Sequence, residues 1–106
     1  MNNDQITVQE LKAKMDAGEK FILLDVREDI EVKRANIGGV HIPMNAVPMH
    51  LKKLDPSQEV IVYCHHGNRS QAIVNFLRAS GYQNARNLVG GINEWSLTID
   101  PSIPKY

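Results

Sequence analysis

The sequence predicts an α/β domain, with a parallel sheet flanked by helices on both faces and one domain over residues 1–106. Three observations lead there. Strand-like runs alternate with helix-like patterns along the chain, which favours a parallel sheet over a sandwich or a bundle. The strongest runs, Phe21–Val26 and Glu59–Tyr63, are apolar without strict alternation, as strands covered on both faces are. The composition, 42% hydrophobic and 23% charged over 106 residues, lies near globular averages, at a size where one core forms and two independent domains do not.

Taken in order, Thr7-Val8-Gln9-Glu10 has the capping-box pattern, and Val8, Leu11 and Met15 follow at helical spacing up to Gly18. Phe21–Val26 is a strand, closed by Asp25-Val26-Arg27-Glu28, and a short helical turn covers Asp29–Arg34. Gly38-Gly39 allows a sharp reversal before a brief strand Val40–Ile42, which Pro43 ends by removing a donor. Asn45 is placed to cap a helix reaching Leu54, with Pro48 tolerated in its first turn. After the turn Asp55-Pro56-Ser57, Glu59–Tyr63 forms a strand that runs straight into Cys64. From near Ser70, the positions Ile73, Val74, Phe76 and Leu77 give a helix with one apolar face, stopped at Gly81. Ala85–Val89 reads as a last strand, Gly90-Gly91 as a turn and Ile92–Leu97 as a closing helix. Trp95 and the methionines read as core.

Composition also excludes functions. Twelve Lys and Arg cancel twelve Asp and Glu, and one Trp, three Tyr and two Phe offer little to stack bases on, so neither nucleic acid nor an anionic membrane surface is an expected partner. The apolar runs Phe21–Leu24 and Val60–Cys64 fall far short of the roughly 20 residues that cross a bilayer. The start, Met-Asn-Asn-Asp-Gln-Ile, lacks the basic and apolar regions of a secretory signal, so a cytoplasmic location is expected, and Met1 favours a natural start. A single cysteine makes no internal disulfide and is a poor start on a zinc site; neither metal nor cofactor is expected.

Chemistry concentrates in Cys64-His65-His66-Gly67-Asn68-Arg69-Ser70, which sets the only thiol at a strand's carboxyl end, where the site of such a sheet lies. Gly67 and Asn68 tolerate positive backbone angles, so the loop can turn successive amides inward as an anion nest. The next helix adds its positive N-terminal end, and Arg69 adds a permanent charge. Each favours a thiolate, and lowering a thiol of pKa about 8.5 by one or two units makes a useful nucleophile at neutral pH. The bland alternative is that Cys64 is a small buried hydrophobe ending the run Val-Ile-Val-Tyr-Cys. Asp25 reads as a partner for turn amides or for a basic residue, and Arg27 as a salt-bridge anchor.

That loop resembles the active-site loop of single-domain rhodaneses, the thiosulfate sulfurtransferases. Asp25-Val26-Arg27-Glu28, Ile37-Gly38-Gly39 with Ile42-Pro43, and Asn87-Leu88-Val89-Gly90-Gly91-Ile92 with Trp95 resemble the family's other segments, so the likeness spans nearly the whole chain. It implies a five-stranded parallel sheet and a cysteine that carries sulfur as a persulfide. Cys64 would take sulfane sulfur from a small anionic donor such as thiosulfate. It would pass that sulfur to a thiophilic acceptor, cyanide in vitro and a thiol or sulfur-carrier protein in the cell. His65, His66, Gly67, Asn68 and Arg69 would bind the sulfur, with Asp25, Arg27 and Ser70 in support. The chain departs from the family at Ala35-Asn36, where Gly-His is usual, and at His66, where a small residue is common. If His66 faces the sulfur, the rate should show a limb near the imidazole pKa. The tail from Trp95 to Tyr106 resembles the end of rhodanese domains fused to adenylating enzymes of sulfur-carrier pathways, which points to a protein donor or acceptor.

Two other readings stand beside this one. Cysteine-dependent phosphatases and arsenate reductases also combine thiolate, amide cradle and arginine, but they hold a longer run between cysteine and arginine than the four residues found here. A non-catalytic docking module would have no physical need for Cys64 or Arg69.

Overall fold

The computed structural model describes residues 3–106; Met1 and Asn2, which belong to the N-terminal segment read above, lie outside the described residues. The chain runs β1 (Gln5–Ile6), α1 (Val8–Asp16), β2 (Ile22–Asp25), α2 (Asp29–Arg34), β3 (Val40–His41), a 3-10 segment (Met44–Lys53), β4 (Val60–Tyr63), α3 (Asn68–Ala79), β5 (Ala85–Leu88) and α4 (Gly91–Thr98). The five strands form one sheet in the order β1-β5-β4-β2-β3, with every pairing parallel. The expected five-stranded parallel sheet is therefore present. β4 sits at its centre, with Ile22 opposite Val60 and Val60 opposite Ala85.

Side-chain alternation on the central strands separates two apolar clusters. Leu24, Val60 and Val62 pack with Ile73, Val74 and Leu77 of α3 and with Val47 of the 3-10 segment. Leu23, Ile61 and Tyr63 face the other way, against Val8 and Leu11 of α1 and Ile92 and Trp95 of α4. Helices thus cover both faces, which is why β2 and β4 read as unbroken apolar runs. Each full burial of a large aliphatic side chain, such as Leu24, Ile61 or Leu77, contributes about 1.5–3 kcal/mol.

The sequence expectations need several adjustments. β1 pairs at the sheet edge with Asn87 and Leu88, and its two residues leave no periodicity to read. The stretch expected to be a helix capped by Asn45 is 3-10, kinked at His50 and preceded by Pro43, because Pro48 has no N–H with which to close an α-helical turn. α3 begins at Asn68, two residues before the expected start, and Asn68 has ordinary helical angles; among the described residues only glycines have positive φ. The Thr7–Glu10 capping box is formed as read. Trp95 is buried, whereas Met15 and Met49 are exposed rather than core. No helix among the described residues is long and apolar enough to cross a membrane.

Candidate active site

β4 delivers Cys64 to the carboxyl edge of the sheet, where three elements shape the loop that follows. Gly67 takes φ +113° and is the N-cap of α3, so the chain reverses there and enters the helix within one residue. The first amides of α4 donate to the loop, from Ile92 to the Cys64 carbonyl at 2.9 Å and from Asn93 to the His65 carbonyl at 3.0 Å. Gly91 makes this approach possible, since a Cβ there would lie 2.5 Å from both carbonyl oxygens. With those carbonyls turned toward α4, and the Gly67 carbonyl held by Gln71 N and Asn87 Nδ2, amides face the sulfur.

Cys64 Sγ accepts from Gly67 N at 3.1 Å and from Ser70 N at 3.4 Å, and lies 3.3 Å from the Ser70 hydroxyl. Gly67 is the N-cap of α3 and Ser70 lies in its first turn, where amides have no partner within the helix, so the sulfur takes the place of a cap. The thiol is 1% exposed and packs with the α3-side cluster. Burial alone would push its pKa up; the Ser70 hydroxyl and amide and the Gly67 and His66 amides outweigh that and pull it down. The sulfur is thus at once buried and faced by backbone donors.

The remaining site residues divide. Asn68 is exposed on the first turn of α3, and His66 is exposed with its ring 3.9 Å from that of His65. His65 is sandwiched, because Tyr106 stacks on its other face at 3.9 Å with 6° between planes. Burial and the neighbouring His66 lower the His65 pKa. Arg69, expected to lend its charge to the sulfur, is forked onto Glu31 at 2.6 and 2.8 Å, and that bond draws Glu31 down to about 2. Asp25 and Arg27 lie to one side as a buried forked pair at 2.8 and 2.9 Å. Arg27 also donates to the Ala35 carbonyl and the Tyr106 hydroxyl, so it ties β2, α2 and the tail together. Burial opposes its charge, but Asp25 and Tyr106 hold it on. Asn36, at the departure from the usual Gly-His, accepts from Gly38 N at 2.6 Å and holds that turn.

Three contributors escaped sequence reading. Glu31 and Tyr106 meet the site only through folding, across separations of 38 and 75 residues in the Glu31–Arg69 and Glu31–Tyr106 bonds. Asn87 left a signal, a polar amide in a buried strand, that the reading passed over as part of a motif.

A family model described as a rhodanese-like domain matches residues 7–98. The chain belongs to this family. This rhodanese-like domain is 35% identical over 102 residues to a putative sulfurtransferase of Bacillus subtilis, YtwF, covering 95% of the chain and 98% of that protein. It is 36% identical over 110 residues to a maize protein named adenylyltransferase and sulfurtransferase MOCS3-2, covering 96% of the chain but 23% of the maize protein. The chain thus spans about a quarter of that relative's length. Among solved structures, a rhodanese-like domain protein from Staphylococcus aureus superposes with a TM-score of 0.84 at 29% identity, covering 97% of this chain and 98% of that one. The family and its sulfurtransferase-named members support sulfur transfer as the general activity.

Proposed function

We propose that this domain, a single unit over residues 1–106, moves sulfane sulfur through a persulfide on Cys64. The observation that carries the reading is the sulfur's setting, with the Gly67 and Ser70 amides directed at an otherwise buried atom and the Ser70 hydroxyl 3.3 Å away. The two amides are preorganised for an anion and need no rearrangement when one forms.

The Cys64 thiolate attacks the outer sulfur of a small anionic donor such as thiosulfate. An S–S bond forms, the donor's S–S bond breaks, and sulfite leaves with the electron pair. The negative charge now rests on the outer sulfur of the persulfide. An acceptor nucleophile, cyanide in vitro and a thiol or sulfur-carrier protein in the cell, then attacks that outer sulfur, and the thiolate returns as thiocyanate or a new persulfide departs. Gly67 supplies an amide to the charge, and His65, His66 and Asn68 form the rim around it. Arg69 acts at longer range, since its side chain is held by Glu31. Ser70 supports the sulfur directly, and Asp25 with Arg27 braces the neighbouring turn. A lone reduced thiol suits a reducing compartment such as the cytoplasm.

Two half-reactions through a covalent intermediate give ping-pong kinetics. Thiocyanate formation from thiosulfate and cyanide should give parallel double-reciprocal lines and vanish in Cys64→Ser. Intersecting lines, or activity surviving that substitution, would contradict the persulfide route. Hydrolysis of an aryl phosphate without turnover of thiosulfate would favour the phosphatase reading.

A further inference from the structure

Behind Cys64 lie two uncharged polar side chains, both buried. Ser70 is 0% exposed and Asn87, on β5, is 5% exposed. The Asn87 amide has a determined orientation. Its Nδ2 faces the Gly67 carbonyl at 3.2 Å, and a carbonyl can only accept, so Oδ1 must be the atom that faces Ser70. Gln71 and Gln5 place two further acceptors beside Nδ2, at 3.3 and 3.4 Å. The Ser70 hydroxyl therefore donates to Asn87 Oδ1, with the two oxygens 2.5 Å apart.

Ser70 has one hydroxyl proton and two claimants for it. While Cys64 is a thiol, its S–H can donate to Ser70 Oγ and the serine proton stays on Asn87. Once the thiol proton has left for solvent, the thiolate is a strong acceptor 3.3 Å away, and the hydroxyl can turn toward it. When sulfur is loaded, the charge moves to the outer atom and the inner sulfur loses its claim. Asn87 thus meets the site twice, through the direction of the Ser70 proton and through the carbonyl of Gly67, the residue whose N–H, one peptide unit earlier, points at Cys64.

We propose that Asn87 is a positioning residue that sets the Ser70 hydroxyl and the Gly67 amide on Cys64, and that the Ser70 proton alternates between Asn87 and the sulfur as Cys64 passes between its thiol, thiolate and persulfide forms. This deepens the persulfide reading, since it rests on Cys64 being the reacting group. The charged and titratable groups on the surrounding elements include Arg69 of α3 with Glu31 of α2, His65 and His66 of the loop, Tyr63 of β4, Arg86 of β5 with Glu59, Asp25 and Arg27 at the end of β2, Tyr106 of the tail, and Asp4, which binds Gln71 next to Asn87. None of these is altered by the substitutions below.

Asn87→Asp puts an anionic acceptor on the Ser70 proton and leaves the Gly67 carbonyl with the Gln71 amide as its one remaining donor. The test is a pH titration of Cys64 by ultraviolet thiolate absorbance and by the rate of iodoacetamide alkylation, readings that the single cysteine makes unambiguous. Asn87→Asp should lower the ratio of thiolate to thiol at a given pH by about tenfold or more, about one pKa unit. Ser70→Ala should lower it in the same direction, and Ser70→Thr, which keeps the hydroxyl, should restore it. A titration in folded Asn87→Asp that coincides with the unsubstituted protein would overturn the proposal. If Asn87→Asp does not fold, equal thiolate fractions in Ser70→Ala and Ser70→Thr would overturn it instead. These readings need no sulfur donor, so they can fail while Cys64 still gains sulfur from thiosulfate, or hold while it does not.

Discussion

Replacing Glu31 by glutamine should separate the two roles of Arg69, as an anchor for the loop and as a charge near the sulfur. In the folded protein Glu31 accepts both arms of the Arg69 fork, a hydroxyl from Tyr106 at 3.0 Å and the Glu28 amide at 3.1 Å. The Arg69 bond is the main reason its carboxyl falls from 4.5 to about 2. That fall is equivalent to about 3 kcal/mol, which solvent screening of a partly exposed Arg69 reduces to about 1–2 kcal/mol. Because the folded pKa lies below the unfolded one, this stability is fully present above pH 4.5 and is lost as pH falls toward about 2. Glu31→Gln should therefore melt about 5–12 °C lower than the unsubstituted protein at neutral pH. The gap should narrow as both proteins are titrated toward pH 2, where Glu31 is itself about half neutral. The same substitution leaves the Arg69 charge without its counter-charge, so the Cys64 thiol should ionise at lower pH. Calorimetric melts across a pH series, with alkylation rates measured in parallel, check both parts. A melting gap that stays constant down to pH 2, or a Cys64 titration that moves upward, would refute the reasoning.

Other substitutions test neighbouring parts of the site. Arg27→Met strands the buried Asp25 carboxylate and should cost about 3–5 kcal/mol in denaturant unfolding. Arg27→Lys should recover little, because one ammonium cannot reproduce the fork to Asp25 together with the bonds to Ala35 and Tyr106. Tyr106→Phe keeps the stack on His65 but removes the hydroxyl shared by Arg27 and Glu31, a loss of about 0.5–1.5 kcal/mol readable as a lower melting temperature. Gly91→Ala forces a Cβ against the Cys64 and His65 carbonyls and should disturb thiocyanate formation more than its effect on melting suggests, measured as kcat/KM beside a melt.

Much of the fold was legible because β2 and β4 are covered on both faces and so carry their burial in unbroken apolar runs. The same logic located Cys64, since a thiol directly after a central parallel strand stands at the sheet's working edge. The elements that escaped did so for local physical reasons. β1 is too short for any period, and Pro48 turned an apparent helix into 3-10 segments. The loop's donors were anticipated in kind but not in detail. The amides on the sulfur come from Gly67 and Ser70, and what turns them there is the first turn of α4 and the Asn87 side chain, neither adjacent in sequence. Arg69 reads along the chain as a charge near the sulfur, and nothing in its sequence neighbourhood reveals Glu31 as the partner that holds it.

The most direct measurement is the intact mass of the protein after incubation with thiosulfate, repeated after cyanide is added. A gain of one sulfur atom localised to Cys64 and removed by cyanide is the expected result. An unchanged mass, or added sulfur that persists when Cys64 is replaced by serine, would contradict the persulfide on which the proposed reaction depends.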